Sequence, residues 1–163
     1  MTATLDQLQT CFRNNFVTYF ISHVAHVNIV GRNFTSDHRL LKKIYQDRQE
    51  EIDHLAEFIR TLDGMMIDQL QSVLVDATID DGPTSGTADE LLEQTRAALL
   101  TLADDFRDLR EIADEDDVYN IANYADEQVT AITKFIWQIT ATLDDAPVAD
   151  AAAPVVPALL MES

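Results

Sequence analysis

The chain has 163 residues, 29 acids against 11 bases, and a formal net charge of −18. That length fits one domain with a buried core, and a 47% hydrophobic fraction excludes wholesale disorder. So negative a surface repels phosphate backbones and anionic lipid and attracts cations; the plainer reading is a soluble acidic protein from a salty setting.

The N-terminus, MTATLDQLQT, has no basic stretch followed by an apolar run, so no signal peptide is expected. Residues 4–30 read as a first helix, with Leu5, Leu8, Phe12, Phe16, Tyr19, Phe20 and Val24 at helical spacing. Cys11 lies on this apolar stretch and reads as a buried thiol. As the only cysteine it excludes an intrachain disulfide, which fits a reducing compartment such as the cytoplasm. Gly31 ends the helix, and NFTS supplies N-cap candidates for a second helix over 35–62. Its apolar stripe is Leu41, Ile44, Tyr45, Ile52, Leu55, Ile59 and Leu62, and Asp63–Gly64 is a stop signal.

MIDQLQSVLVDAT predicts a short helix within the following connection, and DDGPTSGT a loop. A third helix opens at TADE, where Thr87 and Glu90 have capping-box spacing, and runs to about residue 113. The acidic knot DEDD at 114–117 separates it from a fourth helix ending near Leu143. No run approaches the ~18 apolar residues of a membrane span. The expected architecture is all-α: a ferritin-like four-helix bundle over residues 1–143, with a short helix in the long connection between its second and third long helices. Residues 144–163, acidic and rich in Ala and Pro, read as a disordered tail.

The charge is uneven. Residues 1–64 carry 8 acids and 7 bases, whereas residues 65–163 carry 21 acids and 4 bases. All four histidines (His23, His26, His38 and His54) fall in the first two helices. Imidazole together with carboxylate suits iron, zinc or manganese. A di-iron centre inside one bundle needs Glu-x-x-His on each of two helices, with a Glu from each of the others. Glu51 and His54 make one such pair, but no histidine follows residue 54, so the partner motif is missing.

A second arrangement follows from spacing. His26 lies five residues before Gly31 and His38 seven after it, so antiparallel helices place them near each other. Asp53 and Glu57 are i,i+4 neighbours on one face. Asp53 is fifteen residues beyond His38, roughly 22 Å along a helix, too far for one metal to bridge. Two hairpins packed antiparallel about a twofold axis remove that gap, twice per dimer.

These residues carry a resemblance. SHVAHVNIVGRNFTSDHRLL followed by EEIDHLAEFIRTL resembles the Dps family, ferritin-like mini-cages named as DNA-binding proteins from starved cells. The family's signature is His, then Gly and Phe through a turn, a second His, and Asp-x-x-x-Glu. Here those are His26, Gly31, Phe34, His38, Asp53 and Glu57, across 32 residues. TKFIWQI at 133–139 is similar to the family's last helix, and the resemblance covers residues 5–143. It implies a hollow dodecamer whose dimer-interface sites oxidise Fe(II), preferably with hydrogen peroxide, and store ferric mineral. It further implies that His26 and His38 of one subunit share iron with Asp53 and Glu57 of its twofold mate, limiting oxidative damage.

Two residues depart from the family pattern. Lys42 stands where Asp is common, one turn beyond His38, and Val27 stands where Trp is common. The alternative reading is therefore a weakly active or structural cage in which Lys42 replaces a metal ligand; Tyr45 is a substitute for the missing ring or a core tyrosine. By resemblance, the cation pore lies near the start of the last helix, where Asp116, Asp117, Asp126 and Glu127 stand; the alternative there is a solvated helix junction. Asp47, Glu50 and Glu51 are candidates for facing the cavity. DNA binding is not expected, because the chain has three lysines, Lys42, Lys43 and Lys134, and neither end carries Lys or Arg.

Overall fold

The computed structural model describes residues 2–80 and 82–144. It holds five helices and, among the described residues, no strand: α1 (Thr2–Asn28), α2 (Phe34–Thr61), α3 (Leu70–Val75), α4 (Ala88–Glu115) and α5 (Tyr119–Leu143). α1 packs on α2 and α4, and α4 packs on α5. The four long helices thus form the expected bundle, with boundaries within two residues of those read from the sequence. The tail expected over 144–163 lies, from residue 145 onward, outside the described residues.

The buried stripes show why these segments pair. On α2, Leu41, Ile44, Arg48, Glu51, Leu55 and Ile59 recur at three- and four-residue spacing and are all buried. α4 offers Leu92, Leu99, Leu102, Phe106 and Leu109 to the same core, and α5 offers Ile121, Ile132 and Ile139. Transferring such side chains out of water stabilises the bundle by about 1.5–3 kcal/mol each.

The helix ends are specified locally. Thr87 and Glu90 make the expected capping box, the Thr87 N–H donating to Glu90 Oε2 at 2.7 Å and the Glu90 N–H to Thr87 Oγ1 at 3.3 Å. α2 ends in a Schellman motif: Gly64 N–H donates to the Ile59 carbonyl at 3.0 Å and Asp63 N–H to that of Arg60 at 3.1 Å. The left-handed residue there is Asp63, at φ +59°, rather than the glycine. Gly64 serves instead for close approach, since a Cβ on it would stand 2.5 Å from Leu5 Cδ1 and 2.9 Å from the Ile59 carbonyl. α4 ends the same way, with Asp117 at φ +61° and Val118 N–H donating to the Ala113 carbonyl.

The helix expected over MIDQLQSVLVDAT is shorter, Leu70–Val75, because only Val73 of its residues is buried. Asn14 ties the connection down beyond it. Its Oδ1 accepts from the Thr78 and Ile79 N–H groups at 2.9 and 3.3 Å, and its Nδ2 donates to Thr78 Oγ1 and Asp105 Oδ2 at 2.7 and 2.6 Å. Phe16, Phe20 and Val24 of α1 and Leu70 and Leu74 of α3 line an open apolar groove of about 430 Å³. Among the described residues, no helix is long and apolar enough to cross a membrane.

Candidate metal centre

The α1–α2 turn makes the site. Gly31 adopts φ +130°, a conformation open to glycine, and the Phe34 N–H closes the turn on the Gly31 carbonyl at 3.2 Å. That reversal brings His26 and His38 face to face, their ring centroids 3.8 Å apart and their planes 27° from parallel. His26 Nδ1 donates to the His38 carbonyl at 2.9 Å, and His38 Nδ1 donates to the His26 carbonyl at 2.8 Å. A carbonyl only accepts, so each ring carries a proton on Nδ1, and the neutral tautomer that this bond selects has its lone pair on Nε2. Two imidazoles are thereby held in the tautomer a metal requires.

Further rings brace the pair. Tyr45 packs 5.0 Å from His26 and 4.5 Å from His23, and Phe34 packs 4.9 Å from His38. Burial holds the His26 imidazole below the ordinary histidine range. The His38 carbonyl opposes that fall, and the nearby charges of His38, His23 and Lys42 add to it. The neutral, metal-binding form of His26 therefore persists to lower pH than in a free histidine. From sequence, His23 stands among the four histidines but not among the expected ligands, and Tyr45 reads as a substitute ring or a core residue. The signal for both was helical spacing, His23 three residues before His26 and Tyr45 seven after His38.

Asp53 and Glu57 are exposed on α2, Asp53 beside a groove lined by Phe16, Tyr19, Ile52 and Met66. α2 is continuous from Phe34 to Thr61, so the roughly 22 Å between His38 and Asp53 stands. The structure joins the two histidines and keeps the two acids apart from them within one subunit. Among the described residues, no three His, Cys, Asp or Glu gather in a geometry for metal. Lys42 is exposed on α2, close enough for its charge to bear on His26, with no ion-pair partner among the described residues.

The bundle interior does not fit a carboxylate-bridged metal pair. Its centre holds the Arg48 guanidinium, fully buried, donating to Gln128 Oε1 at 2.8 Å, Asn15 Oδ1 at 3.3 Å and Asp47 Oδ2 at 3.0 Å. Glu51 beside it accepts a hydrogen bond from the Tyr124 hydroxyl and another from His54 Nδ1 at 3.3 Å. A permanent cation fills the place where a cation would have to sit. The Glu51–His54 pair is thus structural, and Glu51 and Asp47, read from sequence as cavity-facing, are engaged by Tyr124 and Arg48.

At the α4–α5 corner, most of the expected pore acids also have partners within the chain. Asp116 accepts from the Thr4 hydroxyl at 2.6 Å and the Thr4 N–H at 3.2 Å, Asp117 accepts from the Tyr119 hydroxyl at 2.6 Å, and Asp126 lies 3.6 Å from Arg110 Nε. Glu127 is exposed.

Comparison with known proteins agrees with the four-helix fold. Residues 5–148 match the ferritin-like domain family. The "DNA protection during starvation protein" of Brevibacillus brevis is 26% identical over 149 residues, spanning 88% of this chain and all of that one. That of Listeria innocua is 30% identical over 129 residues, spanning 77% of this chain and 81% of that one. A crystal structure of a Dps protein from Vibrio cholerae O1, described as a member of a broad superfamily of ferritin-like diiron-carboxylate proteins, superposes with a TM-score of 0.82. It is 26% identical and covers 86% of this chain and 89% of that one.

Proposed function

This chain belongs to the ferritin-like family, within its Dps branch, and on that premise we propose that it oxidises Fe(II) with hydrogen peroxide and stores the ferric product in a hollow homo-oligomer, a dodecamer. The observation that carries this reading is the His26–His38 pair, two stacked imidazoles whose Nδ1 atoms each donate to the other residue's carbonyl. A subunit packed antiparallel about a twofold axis brings its Asp53 and Glu57 to that pair and completes a mixed nitrogen–oxygen site. The apolar groove between α1 and α3 supports such packing, since Phe20 and Leu70 are 59% and 60% exposed in the isolated subunit.

Iron is the substrate. The imidazoles hold the incoming ferrous ion, and the harder carboxylates favour the ferric ion that leaves toward the mineral. Two ferrous ions give one electron each to one peroxide, which takes up two protons and becomes two waters, so no hydroxyl radical is released. The exposed acids at the α4–α5 corner, Asp126 and Glu127, draw cations toward the shell. With a charge of −18 per subunit, protection comes from removing iron and peroxide in the cytoplasm rather than from coating DNA.

The test is anaerobic addition of Fe(II) and then peroxide, with ferric absorbance followed in the wild type and in a His26→Ala, His38→Ala variant. The wild type is expected to oxidise iron at least about a hundredfold faster. Equal rates would remove the histidine pair from the chemistry.

A further inference from the structure

We propose that the Lys42 ammonium holds the place of a second cation, so that each intersubunit site takes one ferrous ion instead of two. This rests on the site proposed above. Lys42 stands one turn beyond His38 on α2, rotated by only about 40° around the helix, so both side chains leave the same face. Lys42 is exposed, and no described residue forms an ion pair with it.

The donor set sets the count. Two imidazoles and two carboxylates offer two nitrogens, four oxygens and a charge of −2. One divalent ion neutralises the carboxylates, and the ammonium leaves the site at +1. A second divalent ion raises that to +3 and has to share the same six donor atoms with the first. A second ion needs a further oxygen ligand on that face, and a lysine ammonium has no lone pair to give. Charge and donor number agree: the second position belongs to Lys42.

Anaerobic titration of the assembled protein with Co(II), followed by visible absorbance and calorimetry, tests this without turnover. Sites are counted as the excess over the His26→Ala, His38→Ala variant, which subtracts cobalt held elsewhere on the acidic surface. The wild type is expected to bind one Co(II) per subunit. Lys42→Met, which removes the charge and adds no oxygen ligand, keeps one and binds it about tenfold more tightly. Lys42→Asp binds two.

Two Co(II) per subunit in the wild type, or one in Lys42→Asp, overturns the proposal. So does a wild type that binds none while Lys42→Met binds one, because the ammonium would then block the whole site. If no protein binds cobalt beyond the double-histidine variant, the intersubunit site itself is refuted.

Discussion

His26 and His38 exchange hydrogen bonds across the α1–α2 turn, each ring donating from Nδ1 to the other residue's backbone carbonyl. Twelve residues separate them in the chain, and the stacked rings stand 3.8 Å apart. Nitrogen-15 NMR of the metal-free protein at neutral pH is expected to show Nδ1–H as the tautomer of both. A proton on Nε2 of either ring would contradict the geometry, because that nitrogen must be bare to bind metal.

Arg48 is fully buried and holds α2 to α1 and α5 through Asn15 and Gln128. Arg48→Ala leaves Asn15, Gln128 and Asp47 without their donor, and is expected to cost about 3–5 kcal/mol in chemical denaturation. Arg48→Met keeps the volume and removes the buried charge, so its cost is expected to be smaller. If Arg48→Ala costs less than about 1 kcal/mol, the guanidinium is not the structural centre of the bundle.

This residue also marks where sequence reading stops. The helices were legible because apolar spacing, the Thr87–Glu90 box and the Asp63–Gly64 stop are local signals. The histidine pair was legible because a glycine turn between two helical stretches fixes what lies across it. Arg48 was not, since a charged residue on an amphipathic helix reads as surface until its partners on other helices are placed. Nor was Asp63 as the left-handed residue, because an adjacent glycine is the stronger signal for that role.

Asp105 gives the fold a pH dependence. Burial pushes its carboxyl up to about 6; the Asn14 amide opposes the rise, and Asp108 and Asp104 add to it. Between the ordinary 3.8 and about 6, the folded chain holds a proton that the unfolded chain has released. This contribution to stability is therefore present at low pH and is lost as pH rises through that window. Asp105→Asn keeps an acceptor for Asn14 and removes the penalty, so it is expected to stabilise at pH 7 by about 1 kcal/mol after discounting for partial exposure. Thermal melts from pH 4 to pH 7 check both points, and an unchanged slope in the variant would discard Asp105 as the cause.

The net charge of −18 makes the protein repel itself at low ionic strength. Salt shortens the screening length from about 8 Å at 0.15 M to about 3 Å at 1 M. The melting temperature is therefore expected to rise by at least about 5 °C over that range, with a larger particle by light scattering at high salt. A melting temperature that falls with added salt would mean that ion pairs outweigh repulsion.

The most direct measurement is complementation between two defective subunits. One carries His26→Ala and His38→Ala, the other Asp53→Asn and Glu57→Gln, and each is expected to oxidise Fe(II) no faster than a blank. Refolded together at equal amounts, half of the randomly formed dimers are mixed, and each mixed dimer regains one complete site. Oxidation should return to roughly a quarter of the wild-type rate. A mixture that stays inactive while forming dimers would show that the histidines and the acids do not share iron across the twofold interface.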